Sequence, residues 1–115
     1  MEPYDLSILQ QLDDNQQVLE ILDLFLVNAP LQVRDLLEAA AHKDWTKTYA
    51  VAHKLKGSLG VLGAFDLMAL LQQMEKQAEA AKTTGVEEDT LNGTLQKFII
   101  AFSELETLLK KERNK

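Results

Sequence analysis

The sequence predicts an all-α protein, a single domain over residues 1–115 built as an antiparallel up-down four-helix bundle with a short additional N-terminal helix. Three observations lead there. Apolar residues recur at three- and four-residue intervals along most of the chain, no stretch alternates like a strand, and the breaks between periodic segments are short. A chain of 115 residues supports one core, and with a hydrophobic fraction of 46% and a charged fraction of 26% its composition is that of an ordinary globular domain.

The elements follow in order. Asp5 is placed to cap a short helix from Asp5 to Leu12, which ends before the polar cluster Asp13-Asp14-Asn15. From Gln16 the residues Val18, Ile21, Leu22, Phe25 and Ala29 form a helical stripe, which Leu19 and Leu26 widen on its flank. Pro30 removes a hydrogen-bond donor, so the helix either kinks there or gives way to a new one. Leu31, Val33, Leu36, Leu37 and Ala40 continue an apolar face to about Ala41, and His42-Lys43 close it as a charged surface end. Asp44 caps a third long helix, whose stripe of Thr48, Ala52, Leu55, Leu59 and Leu62 stops at Gly63. Ala64 to about Lys82 forms the fourth, with Leu67, Leu70, Leu71, Met74 and Ala78 inward. The link between these two is so short that they must be antiparallel neighbours. Thr83-Thr84-Gly85 is the next turn, and the last helix begins at Val86-Glu87-Glu88-Asp89, burying Leu91, Leu95, Phe98, Ile99, Phe102, Leu105 and Leu109. Its acidic first turn and basic end suit the helix macrodipole.

Composition narrows the function. Eighteen acidic residues against 12 basic give a net charge of −6, so no nucleic-acid partner is expected. The absence of cysteine excludes disulfides, thiolate metal sites and cysteine nucleophiles. Residues 1–5 lack a basic segment followed by an apolar core, and no apolar run approaches the roughly 20 residues of a membrane helix. A soluble cytoplasmic protein without membrane contact is the expectation.

The candidate site lies in Ala52 to Gly63. With 100° per residue, His53 projects from nearly the opposite side to the stripe through Leu55 and Leu59, so it should see solvent. Gly57 and Gly60 lie inside this helix, where each costs about 0.8–1 kcal/mol relative to alanine. Both fall off the core face and flank His53, clearing space for a second protein's active site to reach the imidazole. Lys56 lies one turn along, where its ammonium is placed to pair with the oxygens of a phosphoryl group on the ring. Lys54 points elsewhere, towards solvent or a partner, and Ser58 either bonds the helix backbone or lines the site. Histidine as a residue type titrates at about 6.5, which leaves a neutral, nucleophilic nitrogen available near neutral pH. A purely structural surface role for His53 stays open at this point. The Glu-x-x-His pairs of carboxylate-bridged bundles are absent, as is a nucleophile elbow, so neither a metal site nor a serine hydrolase is expected.

His53-Lys54-Leu55-Lys56-Gly57-Ser58, preceded by Ala52 and followed by Gly63, resembles the motif of the histidine-containing phosphotransfer (HPt) domain family, His-x-Leu-Lys-Gly-Ser/Ala with a later glycine. Phe25 with Ala29-Pro30, Asp44-Trp45, and Leu67 through Glu75 resemble the family's flanking segments, so the likeness covers most of the chain. The turn near Asp13-Asp14-Asn15 departs from it in lacking a glycine often found there. The resemblance implies a phosphorelay intermediate. His53 would accept a phosphoryl group from a receiver-domain aspartyl phosphate, at Nε2, and pass it to another receiver aspartate. Lys56 would stabilise the phosphate and Gly57 would give access. The implied partners are response-regulator receiver domains and a sensor or hybrid histidine kinase, with a monomeric chain that binds no cofactor of its own. Mg²⁺ is expected on the receiver, and the chain is a phosphoryl carrier and not a complete catalyst.

Two alternatives remain. A phosphoacceptor domain of a chemotaxis-type histidine kinase shares this motif and bundle, although the present chain has no Gly-rich nucleotide loop with which to use ATP. A non-catalytic helical adaptor would make His53 incidental and Leu19 and Leu26 a partner-binding patch. Dimerisation helices of ordinary histidine kinases fit less well, because Lys54 stands where an acidic residue is typical and no proline follows Pro30.

Overall fold

The computed structural model describes residues 4–11 and 14–114, residues 8 and 10 by their backbone alone. Its helices are α1 (Ser7–Gln10), α2 (Asn15–Ala41), α3 (Trp45–Val61), α4 (Phe65–Thr84) and α5 (Glu88–Arg113), and there is no strand among the described residues. Asp5 accepts a hydrogen bond from the Ser7 amide (2.9 Å), and this bond, with a second from the Ser7 side chain, holds its carboxyl below the ordinary value. The expected end of α1 at Leu12, and Asp13 after it, lie outside the described residues.

Helix α2 begins where Asp14 accepts the Gln16 amide (2.9 Å), a side-chain cap on one of the free N–H groups of the first turn. It then runs through Pro30 as one helix of 27 residues, so no second helix starts there. Burial of Phe25, Ala29, Val33 and Leu36 on either side offsets the missing backbone hydrogen bond. The inward face is narrower than the apolar residues suggest. Leu31 and Leu37, expected in the core, are 48% and 38% exposed, because they lie off the line through Leu22, Ala29, Val33 and Leu36. Leu19 and Leu26 are half-buried, and Leu26 packs against the core.

The bundle corners are built by local chemistry. His42 ends α2 with its amide bonded to backbone carbonyls, its Nδ1 2.8 Å from Glu38 O, and its side chain on the surface. Asp44 caps α3 by accepting the Lys47 amide (3.1 Å). Gly63 follows α3 with φ +64°, the left-handed conformation that favours glycine. A Cβ there would also lie 2.7 Å from Asp5 Cβ, because the N-terminal segment crosses this corner and Asp5 N–H donates to Leu62 O (2.9 Å). Thr83 and Thr84, expected in a turn, are instead helical, their hydroxyls bonded to the carbonyls of Glu79 and Ala80. The stop comes at Gly85 (φ +73°), and Glu87 (φ +78°) is the cap residue before α5, which starts at Glu88 and not at the expected Val86.

Each long helix packs on its sequence neighbour, and α2 also packs on α5, which closes the four into a bundle. Leu36, Leu55, Leu59, Leu71, Met74 and Phe98 are fully buried at its centre, each worth about 1.5–3 kcal/mol of apolar burial. Leu6 and Leu9 cover one end, where Tyr4 bonds Glu112 (3.1 Å) and Arg113 pairs with Asp23 (2.6 Å). Among the described residues no helix is long and apolar enough to cross a membrane.

Candidate functional site

The α3–α4 corner is so tight that the register of the hairpin follows from counting. Residues equidistant from Ala64 face one another. Gly60 and Met68, four residues to either side, are in contact, and so are His53 and Glu75, eleven residues to either side. Helix α3 therefore presents His53 beside α4, and α4 answers it with a carboxylate.

His53 is solvent-facing as the helical pattern requires, its side chain 65% exposed. It is not loose. Its Nδ1 lies 3.3 Å from Glu75 Oε2, and the ring lies parallel (5°) to that of Tyr49 one turn earlier, with centroids 6.2 Å apart. Lys56 is near the imidazole but already engaged, its Nζ 2.6 Å from Glu75 Oε1. Glu75 is buried, its side chain 8% exposed, and the ion pair with Lys56 and the contact with His53 compensate a charge that would otherwise be costly there. One carboxylate thus touches both His53 and Lys56.

The two helical glycines differ. A Cβ on Gly57 would meet nothing within 4 Å, which agrees with open space beside His53. At Gly60 a Cβ would lie 3.3 Å from Met68 Cε, so this glycine admits the close approach of α4. The expectation that both flank the imidazole to clear it is corrected for Gly60. The wheel places it on the side of α3 that turns towards α4, and only the packed hairpin shows that α4 fills that space.

Ser58 lines a groove of about 240 Å³ between α2 and α3, together with Ile21, Leu24, Phe25, Asn28 and Val61. Val61 follows His53 and Gly57 at four-residue spacing along α3 and lines the groove. Leu24 and Val61 are 62% and 43% exposed, which leaves apolar surface at the groove. The charge of this region also departs from the whole. From Trp45 to Phe65 the chain has three lysines and no acidic residue, in a protein of net charge −6. Among the described residues no three His, Asp or Glu side chains group as a metal site would require.

Glu75 is the site residue that sequence reasoning did not single out. Its signal was present: an acid at a helical position adjacent to Leu71, Met74 and Ala78, at the same distance from the corner as His53.

Comparison with known proteins bears on the family and on the fold. The family model described as Hpt domain matches residues 20–114. The crystal structure of histidine-containing phosphotransfer protein B from Pseudomonas aeruginosa PAO1 superposes with a TM-score of 0.83 at 21% sequence identity, over 96% of this chain and 94% of that one. No curated protein sequence matches the chain.

Proposed function

Since the chain belongs to the Hpt domain family, whose work is histidine phosphotransfer in phosphorelays, we propose that it carries a phosphoryl group between two receiver domains on His53. The lone pair of Nε2, the ring nitrogen not engaged by Glu75, attacks the phosphorus of a receiver aspartyl phosphate. The N–P bond forms as the O–P bond breaks, and its electron pair leaves on the aspartate. The reverse step on a second receiver restores the imidazole.

The observation that carries this reading is a solvent-facing His53 whose Nδ1 side is held by a buried acid and whose neighbouring turn, at Gly57, is open. Gly57 gives access and Lys56 offsets the charge of the bound phosphoryl group. The basic, acid-free α3 suits an acidic partner site, and the apolar groove with Leu24 and Val61 supplies a docking face beside it. The receiver brings Mg²⁺, its acidic pocket and its own lysine. This chain brings the nucleophile, as a cytoplasmic monomer.

The reading is tested by mixing the protein with a panel of ³²P-labelled receiver domains and Mg²⁺. Acid-labile label is expected on the wild type and not on His53→Gln. Absence of label on the wild type from every receiver would leave a helical adaptor as the better account.

A further inference from the structure

We propose that Tyr49 favours the phosphorylated form of His53: its ring, parallel to the imidazole, stabilises the positive charge that the imidazole gains on taking up a phosphoryl group. Tyr49 is then a positioning residue that acts through His53 and sets how much phosphate rests on this chain at equilibrium. The inference deepens the phosphotransfer reading and rests on it.

Tyr49 and His53 are four residues apart on α3, so their side chains share a face. Their rings are parallel to within 5° with centroids 6.2 Å apart, an offset stack inside the range of about 4.5–7 Å over which aromatic pairs interact. The tyrosine ring is held from behind. Tyr49 is half-buried, packs against the core, and walls a hollow of about 130 Å³ between α3 and α4 together with Trp45 and Ala78, so its plane is set by the fold. The imidazole, by contrast, is 65% exposed, and Tyr49 is the aromatic face that it meets.

The charge balance of the transfer gives this stack its use. Nε2 bonds phosphorus as the O–P bond of the donor breaks and its electron pair leaves on the donor aspartate. The other ring nitrogen keeps its proton, so a neutral imidazole becomes an imidazolium that bears a negatively charged phosphoryl group. A cation about 6 Å from the centroid of an aromatic ring is attracted by the ring's quadrupole, and a neutral imidazole gains less. Helix α3 is otherwise a poor host for a cationic ring: from Trp45 to Phe65 the chain carries three lysines and no acid, and Glu75 is shared with Lys56. A further carboxylate here would repel the phosphoryl oxygens. An aromatic face avoids that conflict, because a quadrupole acts over a shorter range than a charge and favours the ring without opposing the group attached to it.

The test measures the equilibrium constant for ³²P transfer between this chain and one receiver at about pH 8.5, where histidine as a residue type is neutral. Docking and access change how fast that equilibrium is reached and not where it lies. The full chain is compared with Tyr49→Phe, with Tyr49→Leu, and with chains carrying mono-, di- or trifluorophenylalanine at position 49, in which the quadrupole weakens while the ring keeps its shape. Tyr49→Phe should stay close to the wild type, and Tyr49→Leu should shift the constant towards the receiver by about two- to fivefold. Fluorination should shift it stepwise from the Tyr49→Phe value towards the Tyr49→Leu value, and this series decides the matter if Tyr49→Leu does not fold. An unchanged constant in folded Tyr49→Leu, or one that does not move with fluorination, overturns the proposal, the second because the ring would then act only by its shape. The comparison is repeated with phosphoramidate as donor at a fixed excess of ammonium, with His53→Gln as the blank. That reaction needs no receiver: the N–P bond to Nε2 forms as the P–N bond of phosphoramidate breaks and ammonia leaves. A wild type labelled by phosphoramidate and by no receiver would refute the phosphotransfer reading and leave the phosphoramidate series to judge Tyr49, whereas no phosphohistidine from either donor would refute both.

Discussion

Replacing Gly57 with alanine should move stability and function in opposite directions. The added Cβ meets no atom within 4 Å, so nothing opposes the helix-propensity gain of about 0.8–1 kcal/mol. At an unfolding entropy of about 2.1 cal/mol/K per residue, a chain of 115 residues has about 0.24 kcal/mol/K, and the midpoint should rise by about 3–4 °C. The methyl group projects into the space beside His53 that a partner must enter, so transfer from a phosphorylated receiver slows, and Gly57→Val slows it further, by about tenfold or more. The other glycines of this segment serve as internal controls. Gly60→Ala must displace the flexible end of Met68, 3.3 Å away, which removes most of the gain. Gly63→Ala combines a positive φ with collision against Asp5 and should lower the midpoint. Thermal unfolding by circular dichroism and a transfer time course on the same samples decide the matter. A fall in midpoint for Gly57→Ala would mean that this glycine is packed, and a stabilised variant that transfers at the wild-type rate would refute the access role.

Two further outcomes follow from the same geometry. Lys56→Ala should slow transfer less than Gly57→Val, because the receiver contributes cations of its own, and should destabilise the fold by about 1–2 kcal/mol. That is below the range for a fully buried pair, because Lys56 is 25% exposed and His53 still contacts Glu75; urea unfolding reads it, and unchanged stability would show the ion pair to be idle. Pro30→Ala should raise the thermal midpoint, since it restores a backbone donor inside a continuous helix, by on the order of 1–3 kcal/mol in stability. A lower midpoint would mean that the proline ring contributes packing that alanine cannot replace.

The helices and the exposed histidine were legible in the sequence because both are local properties. The stripe from Thr48 to Leu62 is repeated often enough to fix the inward face of α3, and every member of it is buried. The Asp44 cap and the Gly63 stop are written in single residues with one dominant physical use. What the sequence obscured depends on a neighbour. Gly60 falls off the core stripe on a wheel, yet α4 approaches it, and Leu31 and Leu37 are apolar without being covered. Pro30 permits a break in α2 that the packing of Phe25, Ala29, Val33 and Leu36 overrides. Glu75 reads in the sequence as one acid among many, because its partners lie on another helix and become visible only once the hairpin register brings position 75 opposite position 53. In the same way Lys56 reads as a free cation on its own helix and is ion-paired in the folded chain.

The central claim is that His53 carries a phosphoryl group from one receiver to another, and passage of label between two receivers tests it most directly. A phosphorylated donor receiver, freed of its kinase, is mixed with an unlabelled acceptor receiver in the presence of Mg²⁺ and this protein. Label should reach the acceptor only when the wild-type chain is present, after passing through an acid-labile species on that chain, and should not reach it with His53→Gln. Equal labelling of the acceptor with His53→Gln, or with no added chain, would contradict the account.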